Sequence, residues 1–187
     1  MPAGLTEGTH TVTVDVKDVA GNAAIQASWT FKVDTIKPTL SGTPLGWANV
    51  IKPNVVITAV EAGSGLDTGT GTFTVVGGTS GDITAAGSGG WDGTKLIYTW
   101  TPTNDLNENE IYTATMTGAA DVAGNASDPS PLTFTFQVDV TPPVINDASW
   151  NPGDGSWINA VAVDLMVEVT DTDGSGVDLT SAVVDHT

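Results

Sequence analysis

The stretch Thr11-Val-Thr-Val-Asp-Val-Lys-Asp-Val-Ala-Gly-Asn22 decides the fold. Its first half alternates β-branched residues with period two, which sets one side of an extended chain against a core and the other in water. Its second half is turn chemistry: Asp and Asn side chains bond nearby backbone, and Gly21 takes positive φ without steric penalty. A strand therefore runs into a hairpin loop. The same alternation appears in Trp29-Thr-Phe-Lys-Val33 and in Leu132-Thr-Phe-Thr-Phe-Gln-Val138. No segment carries a helical stripe, so the chain reads as all-β.

Asp18-Val-Ala-Gly-Asn22 recurs unchanged as Asp121-Val-Ala-Gly-Asn125, 103 residues later. Phe31-Lys-Val-Asp34 through Pro38 recurs as Phe136-Gln-Val-Asp139 through Pro143 at an offset of 105, and Trp47-Ala-Asn49 as Trp157-Ile-Asn159 at 110. Gly63-Ser-Gly-Leu-Asp67 recurs as Gly174-Ser-Gly-Val-Asp178 at 111. Offsets that drift by a few residues are loop insertions within one repeated unit. A unit of about 100 residues with about seven short strands is the size of an immunoglobulin-like sandwich. The phase predicts tandem Ig-like β-sandwich repeats, one complete and two partial. Residues 1–34 bring the C-terminal part (strands F and G) of one repeat. Residues 35–140 form a complete repeat, and residues 141–187 bring the N-terminal part (strands A to C) of a further one.

Composition bounds the partners. The 187 residues hold 22 acidic against 5 basic side chains, a net charge of -17, and 17 of the acids are Asp. Asp favours turns and caps, so the bias points to acidic loops. An acidic surface without clustered Lys and Arg excludes nucleic acid as a partner. Cysteine is absent, which removes disulfides, thiolate zinc sites and redox couples. No run approaches the ~20 apolar residues of a membrane span, so membrane insertion is not expected. Met1-Pro2-Ala3-Gly4 lacks the regions of a secretory signal. If the protein is exported, this is a mature piece or an excised stretch of one.

Leu5-Thr-Glu-Gly-Thr-His10, Val12-Thr-Val-Asp-Val16, the Asp18–Asn22 loop and the linker Val33-Asp-Thr-Ile-Lys-Pro38 together resemble the bacterial Ig-like (Big-type) tandem repeats of surface adhesins and secreted multidomain proteins. The resemblance extends through both copies, and it implies an extracellular or cell-surface location. The pattern usually has Tyr where His10 stands, and Tyr112 fills that place in the second copy. The place resembles a tyrosine corner, in which a phenol pins the chain before strand F. His10 is accordingly read as a weaker corner residue rather than a catalytic one.

In an Ig-like fold the B–C and F–G loops lie where the chain enters the domain. That end collects Asp34 of the linker, Glu61 and Asp67 of the B–C loop, and Asp121 and Asn125 of the F–G loop. Asp139, Asp171, Asp173 and Asp178 stand at the following junction. Clustered carboxylates repel unless a cation or solvent screens them, and calcium takes about six to eight oxygen ligands of these types. Two readings compete: local Asx-turns in each loop, or calcium bound at the junction. Asp171-Thr-Asp173-Gly-Ser175-Gly176 matches the start of an EF-hand loop, but the twelfth position is Ala182 rather than Glu. It is rejected as an EF-hand.

The six Trp residues raise glycan binding, because exposed indoles stack on sugar faces. Trp29 and Trp100 lie in alternating runs and are expected in the core. Trp47 and Trp157 share a repeat position, which also predicts packing. Trp91 and Trp150 remain as a sugar platform. Catalysis has little support: His10 and His186 lie in different units, and no Gly-x-Ser-x-Gly elbow is present. The expected function is a structural or adhesive module, a rigid spacer or fibre subunit whose partners are neighbouring repeats or identical subunits. The alternative is a module that binds a surface glycan or another surface ligand. Short linkers with Pro38 and with Pro142-Pro143 favour stiffness. The two partial units, one exposing Val161, Val163, Leu165 and Val167, are expected to complement each other head-to-tail between subunits.

Overall fold

In the computed structural model, residues 4–160, 162–172 and 174–183 are described. Val161, Asp173 and His186 lie outside them. The alternating run that opens the chain forms β1 (Gly8–Val14), paired antiparallel with β2 (Ala27–Val33) in a register that sets His10 opposite Phe31 and Val12 opposite Trp29. The loop between them closes as its turn residues require. Asp18 N donates to Asn22 O (2.9 Å), Gly21 N donates to Asp18 O (3.0 Å), and Gly21 has φ 95°.

An Ig-like sandwich of two sheets follows. Its strands are β3 (Thr39–Thr43), β4 (Gly46–Ala48), β5 (Val55–Val60), β6 (Leu66–Asp67), β7 (Thr72–Gly77), β8 (Gly81–Asp82), β9 (Gly87–Asp92), β10 (Ile97–Pro102), β11 (Tyr112–Thr117), β12 (Ala120–Asp121) and β13 (Leu132–Val138). One sheet has the order β3-β5-β10-β9 and the other β4-β13-β11-β7-β8. These correspond to the A-B-E-D and G-F-C arrangements of an Ig-like domain, with β4 as a parallel edge strand beside β13. A small β6–β12 pair joins the B–C and F–G loops.

Alternation decides which side chains meet. Val55, Ile57 and Trp100 from one sheet face Val75, Met116 and Phe136 from the other, and all are fully buried. Each such side chain contributes about 1.5–3 kcal/mol by leaving water. Gly42 lets the sheets approach, because a Cβ there would collide with the ring of Phe134. The E–F corner is pinned as its tyrosine predicts: Asn107 N donates to the Tyr112 phenol oxygen (2.8 Å), and the phenol donates to Glu110 (3.0 Å).

Beyond the sandwich, β14 (Val144–Asn151) pairs antiparallel with β15 (Met166–Thr170), with an irregularity between Asn146 and Asn151. This hairpin repeats the β3–β5 pairing. Ile145 stands opposite Val169 as Leu40 stands opposite Ala59.

Trp100 is buried as expected, but four other indoles depart from expectation. Trp29 is 53% exposed, because its hairpin has no second sheet over it. Trp47 is 42% exposed and Trp157 fully so. Trp47 lies on the edge strand β4, and Trp157 lies outside the strands. Trp91 departs in the opposite direction: it is half-buried, packed edge-on against Tyr98 at 5.5 Å. Trp150 is exposed on β14, whereas Trp91 is half-buried in β9 of the sandwich.

Candidate cation site at the junction

Asp34 follows β2 and enters the sandwich. One of its carboxylate oxygens accepts from Ser64 N (2.6 Å) and the other from Ile36 N (3.1 Å). The Ser64 bonds hold its pKa below the usual carboxylate value. Gly63 is required beside it, since a Cβ there would lie 2.5 Å from the carboxylate. Asp121, buried at the end of β12, accepts from Asn125 N (2.8 Å) and Asn125 Nδ2 (2.7 Å). Asn125 Nδ2 also donates to Asp34 O (3.0 Å), which ties the F–G loop to the linker.

Glu61 leaves the end of β5 between these two acids. Both its carboxylate oxygens are shielded from water and have no hydrogen-bond partner among the described residues. Burial raises its pKa, and the charges of Asp121 and Asp34 raise it further. Asp34, Glu61 and Asp121 each offer an oxygen within 4.8 Å of the others. Among the described residues the ion pairs, Lys52–Asp105 and Lys95–Asp92, lie elsewhere, so none of the three acids is paired with an ammonium group. Three acids on three segments form an oxygen-only pocket suited to a hard divalent cation. The other two expected ligands behave differently. Asn125 braces the site, while Asp67 turns into its own loop and accepts from Gly69 N (2.9 Å).

The second junction repeats part of this construction. Asp139 accepts from Ser175 N (2.6 Å), the counterpart of the Asp34–Ser64 bond at the same length. Asp171 accepts from Gly176 N (2.7 Å), and its other oxygen is shielded and, among the described residues, unpartnered, as in Glu61. A Cβ on Gly174 would lie 2.5 Å from Asp171 and 2.8 Å from Asp139. Asp178 makes a local turn with Thr180 N (2.9 Å) and stays with its own loop.

Two braces escaped the reading of the sequence. Glu7 accepts from Thr35 N (3.0 Å) and from the Thr35 hydroxyl, and Glu108 accepts from Thr141 Oγ1 (2.8 Å). In both, an acid ahead of strand F holds the linker that leaves strand G. The recurrence of Leu5-Thr-Glu7 and Leu106-Asn-Glu108, 101 residues apart, was the available signal.

Residues 1–35 match the family model of a bacterial Ig-like domain. The match covers β1, β2 and the Asp18–Asn22 loop, the segment whose pattern recurs at Asp121–Asn125. Domains of this kind are typically extracellular or surface-exposed and non-enzymatic. No curated protein matches the chain. Among the described residues no helix is long and apolar enough to cross a membrane.

Proposed function

We propose that this chain is a rigid structural or adhesive module of an extracellular microbial surface or fibre protein, with Ig-like units over 1–34, 35–140 and 141–187 held in series by clamped linkers. The observation that carries the reading is the repeated clamp. At each junction an acid of the preceding unit holds the outgoing linker, and the linker aspartate caps the next B–C loop at 2.6 Å. A linker bonded at both ends transmits orientation from one unit to the next.

Calcium completes this reading. Asp34, Glu61 and Asp121 supply charged oxygens, and an ion between them gives the shielded Glu61 carboxylate the partner it lacks. An ion bound only to the folded junction raises stability by mass action, about 2.7 kcal/mol at a hundredfold excess over Kd. The test is thermal unfolding in calcium and in chelator. A higher midpoint in calcium, lost in both Asp34→Asn and Glu61→Gln, supports the site. Identical midpoints with and without calcium overturn it.

A second reading, glycan binding, is favoured by one feature. Exposed Trp150 lines an open cavity of about 350 Å³ together with Asp147, Pro152 and Asp154. Indole and carboxylates side by side suit the apolar face and hydroxyls of a sugar. Retention on a glycan array that disappears in Trp150→Ala supports this reading, and no retention on any glycan removes it.

A further inference from the structure

The two sheets of the sandwich end in β3 and β9 and in β4 and β8, and three of these edges are blunted. β4 has three residues and β8 two. β3 runs into Pro44 and is bonded at its start to the segment at Asp128, whose carbonyl accepts from Leu40 N (3.4 Å) and whose N–H donates to Pro38 O (2.8 Å). Short edges, prolines and covering segments deny a template to other strands. β9 has none of these. Its six residues, Gly87-Ser-Gly-Gly-Trp-Asp92, include no Pro, and only the last is charged. Thr103 N donates to Ala86 O (2.8 Å), which fixes the phase of the β9–β10 ladder. Ser88, Gly90 and Asp92 bond to β10, so the N–H and C=O groups of Gly87, Gly89 and Trp91 point to the open side. Among the described residues no strand lies there. The glycines of β9 have different causes. A Cβ on Gly87 would run into the Trp100 ring and one on Gly89 into the Tyr98 phenol, so both make room for the core. Gly90 has nothing within 4 Å of its Cβ position and no positive φ to require it. A glycine weakens a strand, and one without a local cause marks a place where another backbone comes close.

We propose that β9 pairs antiparallel with β9 of a second copy of this chain, about a twofold axis at Gly89, joining the β3-β5-β10-β9 sheets of both copies into one. In that register Gly89 meets Gly89 and Gly87 meets Trp91, so every outward N–H and C=O of the strand finds a partner. Ser88 faces Gly90, which leaves no bulky side chain in the way and no like charges opposite each other. The ends are complementary in charge as well. The antiparallel sense brings the turn that carries Lys95 of one copy to the end of β9 that Asp82 precedes in the other. Lys95 is exposed and held only by a 3.7 Å ion pair with Asp92, so its ammonium group is free to reach across. Both copies use the same surface, and the contact therefore closes as a dimer. Two copies of charge -17 repel, so association strengthens with concentration and with salt. This goes beyond the reading of units in series, since it joins chains side by side and uses no residue of the junction clamp.

The absence of cysteine makes the register directly testable. Residues opposite each other at a non-hydrogen-bonded position, as Ser88 and Gly90 would be, lie about 4.5 Å apart at Cα, within reach of a disulfide. Ser88→Cys/Gly90→Cys should give a covalent dimer under mild oxidation at least about tenfold faster than either single variant, whose thiols stand diagonal rather than opposite. Sedimentation equilibrium of the unmodified chain should show a monomer–dimer equilibrium that shifts toward dimer with salt. Ser88→Asp/Gly90→Asp sets like charges opposite each other and should weaken the dimer about tenfold, whereas Ser88→Lys/Gly90→Asp sets opposite charges there and should tighten it. Ser88 is exposed and the Gly90 position open, so the melt of the sandwich should stay in place in both variants. A chain that stays monomeric at every concentration and ionic strength leaves the edge to a foreign strand and overturns the proposal. So does a dimer that both charge variants leave unchanged, because its contact lies elsewhere.

Discussion

The β11–β13 pair and the β1–β2 hairpin are one piece of backbone in two surroundings. Both stack an aromatic corner residue on a phenylalanine at 5.4 Å, and both close with Asp-Val-Ala-Gly-Asn, bonded at 2.8 and 2.7 Å. Yet Phe134 is 8% exposed and its counterpart Trp29 53%. Local sequence thus determines the hairpin, and the sheet opposite determines burial. Phe136→Ala should therefore cost about 3–5 kcal/mol, the range for a buried aromatic, whereas Phe31→Ala should cost under about 1 on the main transition. Urea unfolding of both variants checks this. Equal losses would break the comparison, because they would make the hairpin part of the same cooperative unit.

The polar side of the comparison is sharper at the corner. Glu110 is buried and accepts from Thr79 N (2.7 Å), Ser80 N (2.6 Å), Ser80 Oγ (2.6 Å), Asn107 Nδ2 (2.9 Å) and the Tyr112 phenol. Burial alone would raise its pKa, but the bonds from Ser80, Asn107 and Thr79 outweigh it and hold the carboxyl far below the ordinary range. A depressed folded-state pKa contributes stability that is fully present above the unfolded value of 4.5 and lost as pH falls below it. Glu110→Gln should cost about 2–3 kcal/mol at neutral pH, since bonds to a charged acceptor weaken. It should also flatten the acid limb of a stability-against-pH curve, and an unaltered limb would remove Glu110 from that role.

At the corner itself, Tyr112→Phe deletes the acceptor for Asn107 N and should cost about 1–1.5 kcal/mol. His10 makes a similar contact, Nε2 to Thr6 O at 2.6 Å, but on an exposed hairpin. His10→Ala should stay within about 0.5 kcal/mol on the same transition. Urea titrations of the pair separate the corner from its copy.

How much was legible follows from the same distinction. The alternating runs place β1, β2 and β13 and their pairing, and the recurring loops place Asp34, Asp121 and Asn125 at one junction. The tyrosine corner was readable from Tyr112 because its geometry is local. Burial of Trp29 and Trp157 was not readable, since a repeat position says which way a side chain points but not what stands there. Trp91 was hidden for another reason: β9 reads Gly-Ser-Gly-Gly-Trp-Asp, which shows no alternation to reveal that it packs on Tyr98. The shielding of Glu61 and the turning away of Asp67 depend on loop paths that spacing does not encode.

The smallest effect is expected at Trp47. Full packing of the indole, which its repeat position predicts, would make Trp47→Ala cost about 3–5 kcal/mol, the value for a buried aromatic. With 42% of the residue in water, only part of its apolar surface leaves solvent on folding, and the loss should be about 1 kcal/mol. The strand does not depend on the indole. β4 is held through its main chain, paired with Gln137 and Val138 in register and with Asp139 N donating to Ala48 O at 3.0 Å. Trp100→Ala, at a fully buried site in the same sandwich, should show the full loss. Both are read from urea unfolding midpoints at constant slope, so that a change in compactness is not mistaken for a change in stability. A Trp47 loss as large as that of Trp100 would mean that something covers the indole in solution. The edge strand β4 would then join the surfaces through which units or copies make contact.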